Sequence, residues 1–203
     1  MLFDLNDIEP TKVSHLLRLY NSKGNANATY DAFWSSSGPD RRLSSEKYNI
    51  KMGYWAPHIE SCFLEVFLRR RPGFFVPEME ANIDCDTQLR YHIAKLTLAH
   101  SLTLVPHTVQ DIVCSSAYYS NELEKDNFVK HCYDHPIGFD GIEYRSNHSS
   151  SFICYALFDR SIQKLKLESN LPNNHFECQP LSNSPRDMLQ VLKAFSGVTF
   201  ERC

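Results

Sequence analysis

The chain has 203 residues, 42% hydrophobic and 22% charged, with a formal net charge of -3, which describes one ordinary globular domain able to bury a sizeable core. Its basic clusters are Arg41-Arg42 and Arg69-Arg70-Arg71, so it lacks the electrostatic footprint of a nucleic-acid binder, and no apolar run reaches the length of a membrane span. The opening MLFDLNDIEPTK lacks the order of a signal peptide, and the seven cysteines are odd in number and without a CxxC pair; together they predict reduced thiols and a cytoplasmic location.

Residues 9–20 open with the spacing of a short helix, its apolar positions at Val13, Leu16, Leu17 and Tyr20. Residues 21–47 are polar and loop-like, with strong turn chemistry at Ser35–Asp40. Phe33 and Trp34 inside this loop need something to pack on. Tyr48 to Tyr54 reads as a short strand leading into a helix that begins near Pro57 and carries an apolar stripe of Ile59, Cys62, Phe63, Val66 and Phe67. Arg71-Pro72-Gly73 ends that helix. Residues 74–76 and 79–83 read as strands, as does 91–99, with 102–105 its continuation or partner. A short helix and loop fill 108–120, and 121–133 has a helical pattern broken by His135-Pro136. Residues 141–145 and 152–158 are two strands. Residues 159–183 carry no clear pattern, and Ser184 caps a terminal helix over 184–195. Strands and helices mix without a βαβα rhythm, which predicts an α+β fold.

Glycine is scarce, at seven residues, and no glycine-rich phosphate loop occurs. Metal ligation has little support: His131 and His135 are four apart but lack the glutamate of HExxH, and Pro136 ends the helix there. No GxSxG elbow supports a serine hydrolase. Four separated polar residues remain: Arg42, Tyr54, Glu65 and Ser146. Each has an ordinary reading, Glu65 as the i,i+4 partner of Arg69, and each also has a chemical one.

Their order and spacing resemble the RES domain family, named for its Arg, Glu and Ser. Tyr54-Trp55-Ala56 is followed by Cys62-Phe63-Leu64-Glu65, a tyrosine and a glutamate eleven positions apart with a small residue between. Arg42-Leu43-Ser44 resembles the family's arginine block, with Arg41 the alternative. Asp140-Gly141-Ile142-Glu143-Tyr144-Arg145-Ser146, followed by a strand ending Leu157-Phe158, is the most specific block. The resemblance spans residues 16–160. Cys62 stands where alanine is usual.

The resemblance implies an ADP-ribosyltransferase-like fold of two packed β-sheets with flanking helices. It also implies an enzyme that consumes NAD as substrate, without a metal, by cleaving the nicotinamide–ribose bond. Phosphate or water is the acceptor in a phosphorylase or glycohydrolase, and a protein in an ADP-ribosyltransferase. The breaking bond builds an oxocarbenium-like ribose, which a carboxylate at Glu65 stabilises. Arg42 then holds phosphate oxygens, Tyr54 faces the cationic nicotinamide with Trp34 or Phe33 assisting, and Ser146 hydrogen-bonds carboxamide or ribose. The family also implies a toxin that depletes NAD, retained in the cytoplasm or delivered into a target cell, with a cognate antitoxin or immunity protein as partner. A non-catalytic interaction module that keeps the fold is the other class.

Overall fold

The computed structural model describes residues 5, 8–21, 43–68, 82–109, 122–146, 151–168, 175–183, 190, 193 and 199–201. Its largest element is a six-stranded sheet. Strand β1 (Thr11–Asn21), β4 (Tyr91–Val105), β5 (Gly141–Arg145), β6 (Ile153–Phe158) and β2 (Met52–Trp55) follow one another in the order β1-β4-β5-β6-β2, and β7 (His175–Pro180) pairs with β4. A separate parallel pair joins β3 (Asn82–Ile83) to β8 (Thr199–Phe200). The helices are α1 (Ile59–Phe63), which continues as a π-helical turn over Leu64–Leu68, then α2 (Cys85–Arg90), α3 (Glu122–Asp134) and α4 (Asp159–Glu168).

The sheet nearly closes on itself. β1 and β2, the two ends of the strand order, meet at Leu17 and Ala56, each donating its N–H to the other's carbonyl at 2.8 and 2.9 Å. Buried side chains fill both faces. On one face Leu19, Met52, Ala56, Ile93, Ile142, Tyr144 and Phe158 pack with Cys62 and Phe63 of α1 and Phe128 and Val129 of α3. On the other, Leu16, Tyr20, Trp55, Ala94, Leu96 and Leu157 pack with Ile162 and Leu165 of α4.

That two-sided burial explains why residues 11–21 form a strand where the spacing predicts a helix. Leu16 and Tyr20 point to one core and Leu19 to the other. Strands covered on both faces read as near-continuous apolar runs, without alternation. The pairing of β1 with β4 from Thr11↔Leu104 to Asn21↔Tyr91 satisfies the backbone along its length, with one irregularity between Val13 and His15. Residues 91–99 and 102–105 form one 15-residue strand, β4. The segment without a clear pattern contains α4 and β7. Most of the segments 69–81 and 184–195 lies outside the described residues, although Gln190 and Lys193 are helical.

The most specific sequence block is largely architectural. The Asp140 carboxylate accepts from the Thr103 N–H at 2.9 Å and from the Ser161 hydroxyl at 3.1 Å. Its backbone N–H donates to the Thr103 carbonyl, and its carbonyl accepts from Phe158 N–H. Asp140 therefore ties β4, β6 and α4 together. A Cβ on Gly141 would lie 2.4 Å from the Ala156 carbonyl oxygen, so only glycine lets β5 approach β6 there. Glu143, buried on the far side of β5 from Tyr144, accepts from the Thr11 hydroxyl, the His107 N–H and His107 Nδ1 at 3.2, 3.1 and 2.7 Å.

Cysteine usage departs from the all-reduced expectation. Cys62, Cys132 and Cys154 are buried free thiols and Cys178 is an exposed one, whereas Cys85 is disulfide-bonded. The remaining two cysteines, Cys114 and Cys203, both lie outside the described residues. The sequence shows only spacing, and a pair distant along the chain leaves no local signature. Among the described residues no helix is long and apolar enough to cross a membrane.

Candidate active site

Beyond the Leu17–Ala56 bridge no ladder joins β1 to β2 among the described residues, and a cleft of about 470 Å³ opens between them. Arg18, Leu19, Tyr20 and Asn21 line it from β1, and Tyr54, Trp55 and Ala56 from the β2 side. Successive strand residues point to opposite faces. A cavity lined by four consecutive residues of one strand and by Tyr54, Trp55 and Ala56 at the end of the other therefore sits in the gap between the strand edges. Ser61, Cys62, Glu65 and Val66 close it on the helix side, and Tyr91, Tyr144 and Cys154 complete the wall.

Glu65 reaches this cleft from the π-helical turn that continues α1. Such turns insert an extra residue into the helical repeat and re-aim the side chains beyond it, and they are frequent at functional sites. Ser146 arrives from the end of β5. Its N–H donates to the Phe152 carbonyl at 2.8 Å, which closes the base of the β5–β6 connection. Its buried hydroxyl donates to Glu65 Oε1 at 2.7 Å. The carboxylate is thus held by a charge-assisted hydrogen bond from a fixed strand end.

Tyr54 stands against Tyr144 edge to face, ring centroids 6.0 Å apart. Its hydroxyl accepts the Leu43 N–H at 2.9 Å, which locks the ring as part of the wall. Arg18 places its guanidinium 5.5 Å from the centre of the Trp55 ring. Burial pushes the Cys62 thiol up to about 12; the Leu19 backbone and Arg18 pull against that, while Glu65 and Glu60 add to it. Cys62 is therefore a neutral packing residue, and it lies within electrostatic reach of both Arg18 and Glu65. Burial and Cys178, which shares a hydrogen bond with the phenol, raise Tyr20 above the ordinary tyrosine range.

Of the residues singled out in the sequence, Glu65 and Tyr54 line the cleft, and Ser146 is joined to it through its hydrogen bond to Glu65. Arg42, Arg41, Trp34, Phe33 and Arg69 lie outside the described residues. His131 and His135 pack against each other edge to face, 5.9 Å between centroids, and neither lines the cleft. The residue that sequence reasoning missed is Arg18. On a helix it falls on the polar side of the apolar stripe. On a strand it is a cation inside Leu16-Leu17-Arg18-Leu19-Tyr20, and that contrast was the available signal.

The cleft thus combines a carboxylate oriented by a hydroxyl, an arginine and several aromatic rings, within the volume range of a small-molecule site. Comparison with known proteins adds no relative: no protein-family model and no curated protein matches this chain.

Proposed function

We propose that the chain is an NAD-consuming enzyme that cleaves the nicotinamide–ribose bond, with water or inorganic phosphate as acceptor, and that it acts as a toxin by depleting NAD. The observation that carries this reading is the hydrogen bond from Ser146 to Glu65, which lines a cleft that also holds Arg18 and Tyr54. Support also comes from the sheet, whose long strand β4 is shared by the β1-β4-β7 and β4-β5-β6-β2 halves. An ADP-ribosyltransferase-like fold belongs to the same proposal.

In this reading the C–N bond breaks with its electron pair leaving on nicotinamide. The positive charge that develops on the ribose faces the Glu65 carboxylate, which the Ser146 hydroxyl holds in place and which need not reorganise as charge develops. Arg18 holds pyrophosphate oxygens, with Arg42 in the role that the RES resemblance gives it. The Tyr54 ring faces the pyridinium, whose charge an aromatic face attracts. A cognate antitoxin or immunity protein, and a site of action in the cytoplasm of the producing or a target cell, belong to the same proposal.

The test is incubation of the purified protein with NAD, with and without phosphate, and then assay for free nicotinamide. Release that depends on phosphate identifies phosphorolysis, and release without it identifies hydrolysis. Nicotinamide release coupled to a labelled protein identifies ADP-ribosyl transfer instead. No release under any of these conditions would falsify the enzyme reading and leave a non-catalytic module.

A further inference from the structure

A row of aromatic rings leads away from the cleft. Tyr91 lines the cleft and packs on Phe67, Phe67 on Phe63, and Phe63 on Phe200, with ring centroids 4.7, 4.7 and 5.9 Å apart. Glu65 lies between Phe63 and Phe67 in the chain, on the turn that these rings support. Phe200 belongs to β8, which pairs with β3 over two residues only. A parallel pair so short is marginal by itself.

Other contacts hold β8 in place, and they converge on α2. The Glu201 N–H donates to the Ile83 carbonyl at 2.9 Å, and the Glu201 carboxylate accepts the Cys85 N–H at 3.1 Å. The buried Gln88 amide donates to the Ile83 and Glu201 carbonyls at 3.1 and 2.8 Å. The same helix ends at Tyr91, whose N–H donates to the Thr87 carbonyl. Phe200 and Tyr91, the two ends of the aromatic row, are thus both attached to the segment 83–91, and that segment carries the disulfide-bonded Cys85.

Cys203 follows Glu201 by two residues, a span of at most about 7 Å, which matches the reach of a disulfide. Cys114 follows the opposite end of β4, and the 11-residue β1 alongside β4 covers about 33 Å. We propose that Cys85 is bonded to Cys203 and that this disulfide is a redox switch on the cleft. Oxidised, it pins β8 and the Phe200 ring beneath the turn that carries Glu65. Reduced, it releases them. In the release step a dithiol reductant gives up two electrons and two protons and closes to its own disulfide, while the Cys85–Cys203 bond breaks to two thiols. The switch acts on the wall of the cleft and stands whether or not the ligand is NAD.

The experiment is deuterium uptake by the full chain, oxidised and after dithiothreitol, with the disulfide mapped by mass spectrometry of a non-reduced digest. The cross-linked peptides should join Cys85 to Cys203, and a link to Cys114 overturns the proposal. Reduction should speed uptake over Leu64–Leu68 and at Tyr91 about tenfold or more, and leave Ile142 and Leu157 unchanged. Cys85→Ser should show the fast uptake without reductant and no further response to it. Phe200→Ala keeps the disulfide and removes the ring, so it should loosen the same turn in the oxidised protein. Equal uptake over Leu64–Leu68 before and after reduction overturns the switch. A uniform rise that includes Ile142 and Leu157 also overturns it, and makes the disulfide a staple of the whole fold.

Discussion

The Ser146 hydroxyl donates to the Glu65 carboxylate at 2.7 Å across 81 residues of chain. The bond fixes one carboxylate oxygen of a residue that lines the cleft. Glu65→Gln keeps the shape and removes the charge, so nicotinamide release should fall by about two orders of magnitude or more. Ser146→Ala should cost about tenfold to a hundredfold, the range of a hydrogen bond to a charged group. Both are read from single-turnover rates, with circular dichroism confirming the fold. Undiminished turnover in Glu65→Gln would remove Glu65 from the chemistry and turn attention to Glu60.

Arg18 is predicted to act on binding more than on the chemical step. Under the proposed NAD reading, Arg18→Ala should raise KM for NAD about tenfold or more with a smaller change in kcat, since the proposed pyrophosphate contact would be made in ground and transition states alike. Arg18→Lys should fall between, because an ammonium supplies charge without the planar fork. A large loss in kcat at unchanged KM would contradict this role.

The two sheet glycines separate architecture from chemistry. Gly141→Ala sets a Cβ against backbone, 2.4 Å from the Ala156 oxygen, and should destabilise the fold by about 3 kcal/mol or more. Gly53→Ala meets first the tip of Ile162, 2.5 Å away, a side chain that can change rotamer. Its cost should stay near or below about 1.5 kcal/mol. Urea denaturation midpoints decide both, and equal losses would show that the Ala156 backbone yields as easily as a side chain.

Alkaline pH should weaken the fold through two buried groups. Burial holds the Cys62 thiol protonated up to about 12, against an ordinary 9.0. Burial first, then Glu143 and Cys154, raise the Tyr155 phenol from 10.0 to about 12. In each case the folded chain keeps a proton that the unfolded chain gives up earlier. The stabilisation is therefore complete below about pH 9 and lost as pH rises toward 12. Unfolding temperatures should fall across that window, and less steeply near its start in Cys62→Ala. Thiol reagents at neutral pH should label Cys178 and spare Cys62, Cys132 and Cys154 until unfolding.

The α+β class was legible in the sequence, and so were six of the elements, β4 among them. β2, β5 and β6 are bounded by turn residues, and α1 and α3 carry apolar positions at helical spacing. β1 was not, because a strand buried on both faces loses its alternation and Val13, Leu16, Leu17 and Tyr20 match a helical template by chance. That error also hid Arg18, which matters only once Leu16–Tyr20 is a strand edge. Asp140 and Gly141 attracted notice as part of a motif. Their contacts to Thr103, Ser161 and Ala156 are architectural and cross segments that no local pattern connects.

The two hydrogen bonds between Leu17 and Ala56 make the closure of the sheet a clasp rather than a seam. A ladder resists opening along its whole length, whereas a clasp leaves two backbone bonds and the packing around Ala56 to hold β1 against β2. Backbone deuterium uptake at these two amides should therefore be fast for so central a position, faster than at Ile93 inside the β1-β4-β7 array. A molecule that touches Arg18 on one arm and Glu65 on the other would latch the clasp, and the slowing of uptake at Leu17 and Ala56 would report its arrival without any assay of turnover.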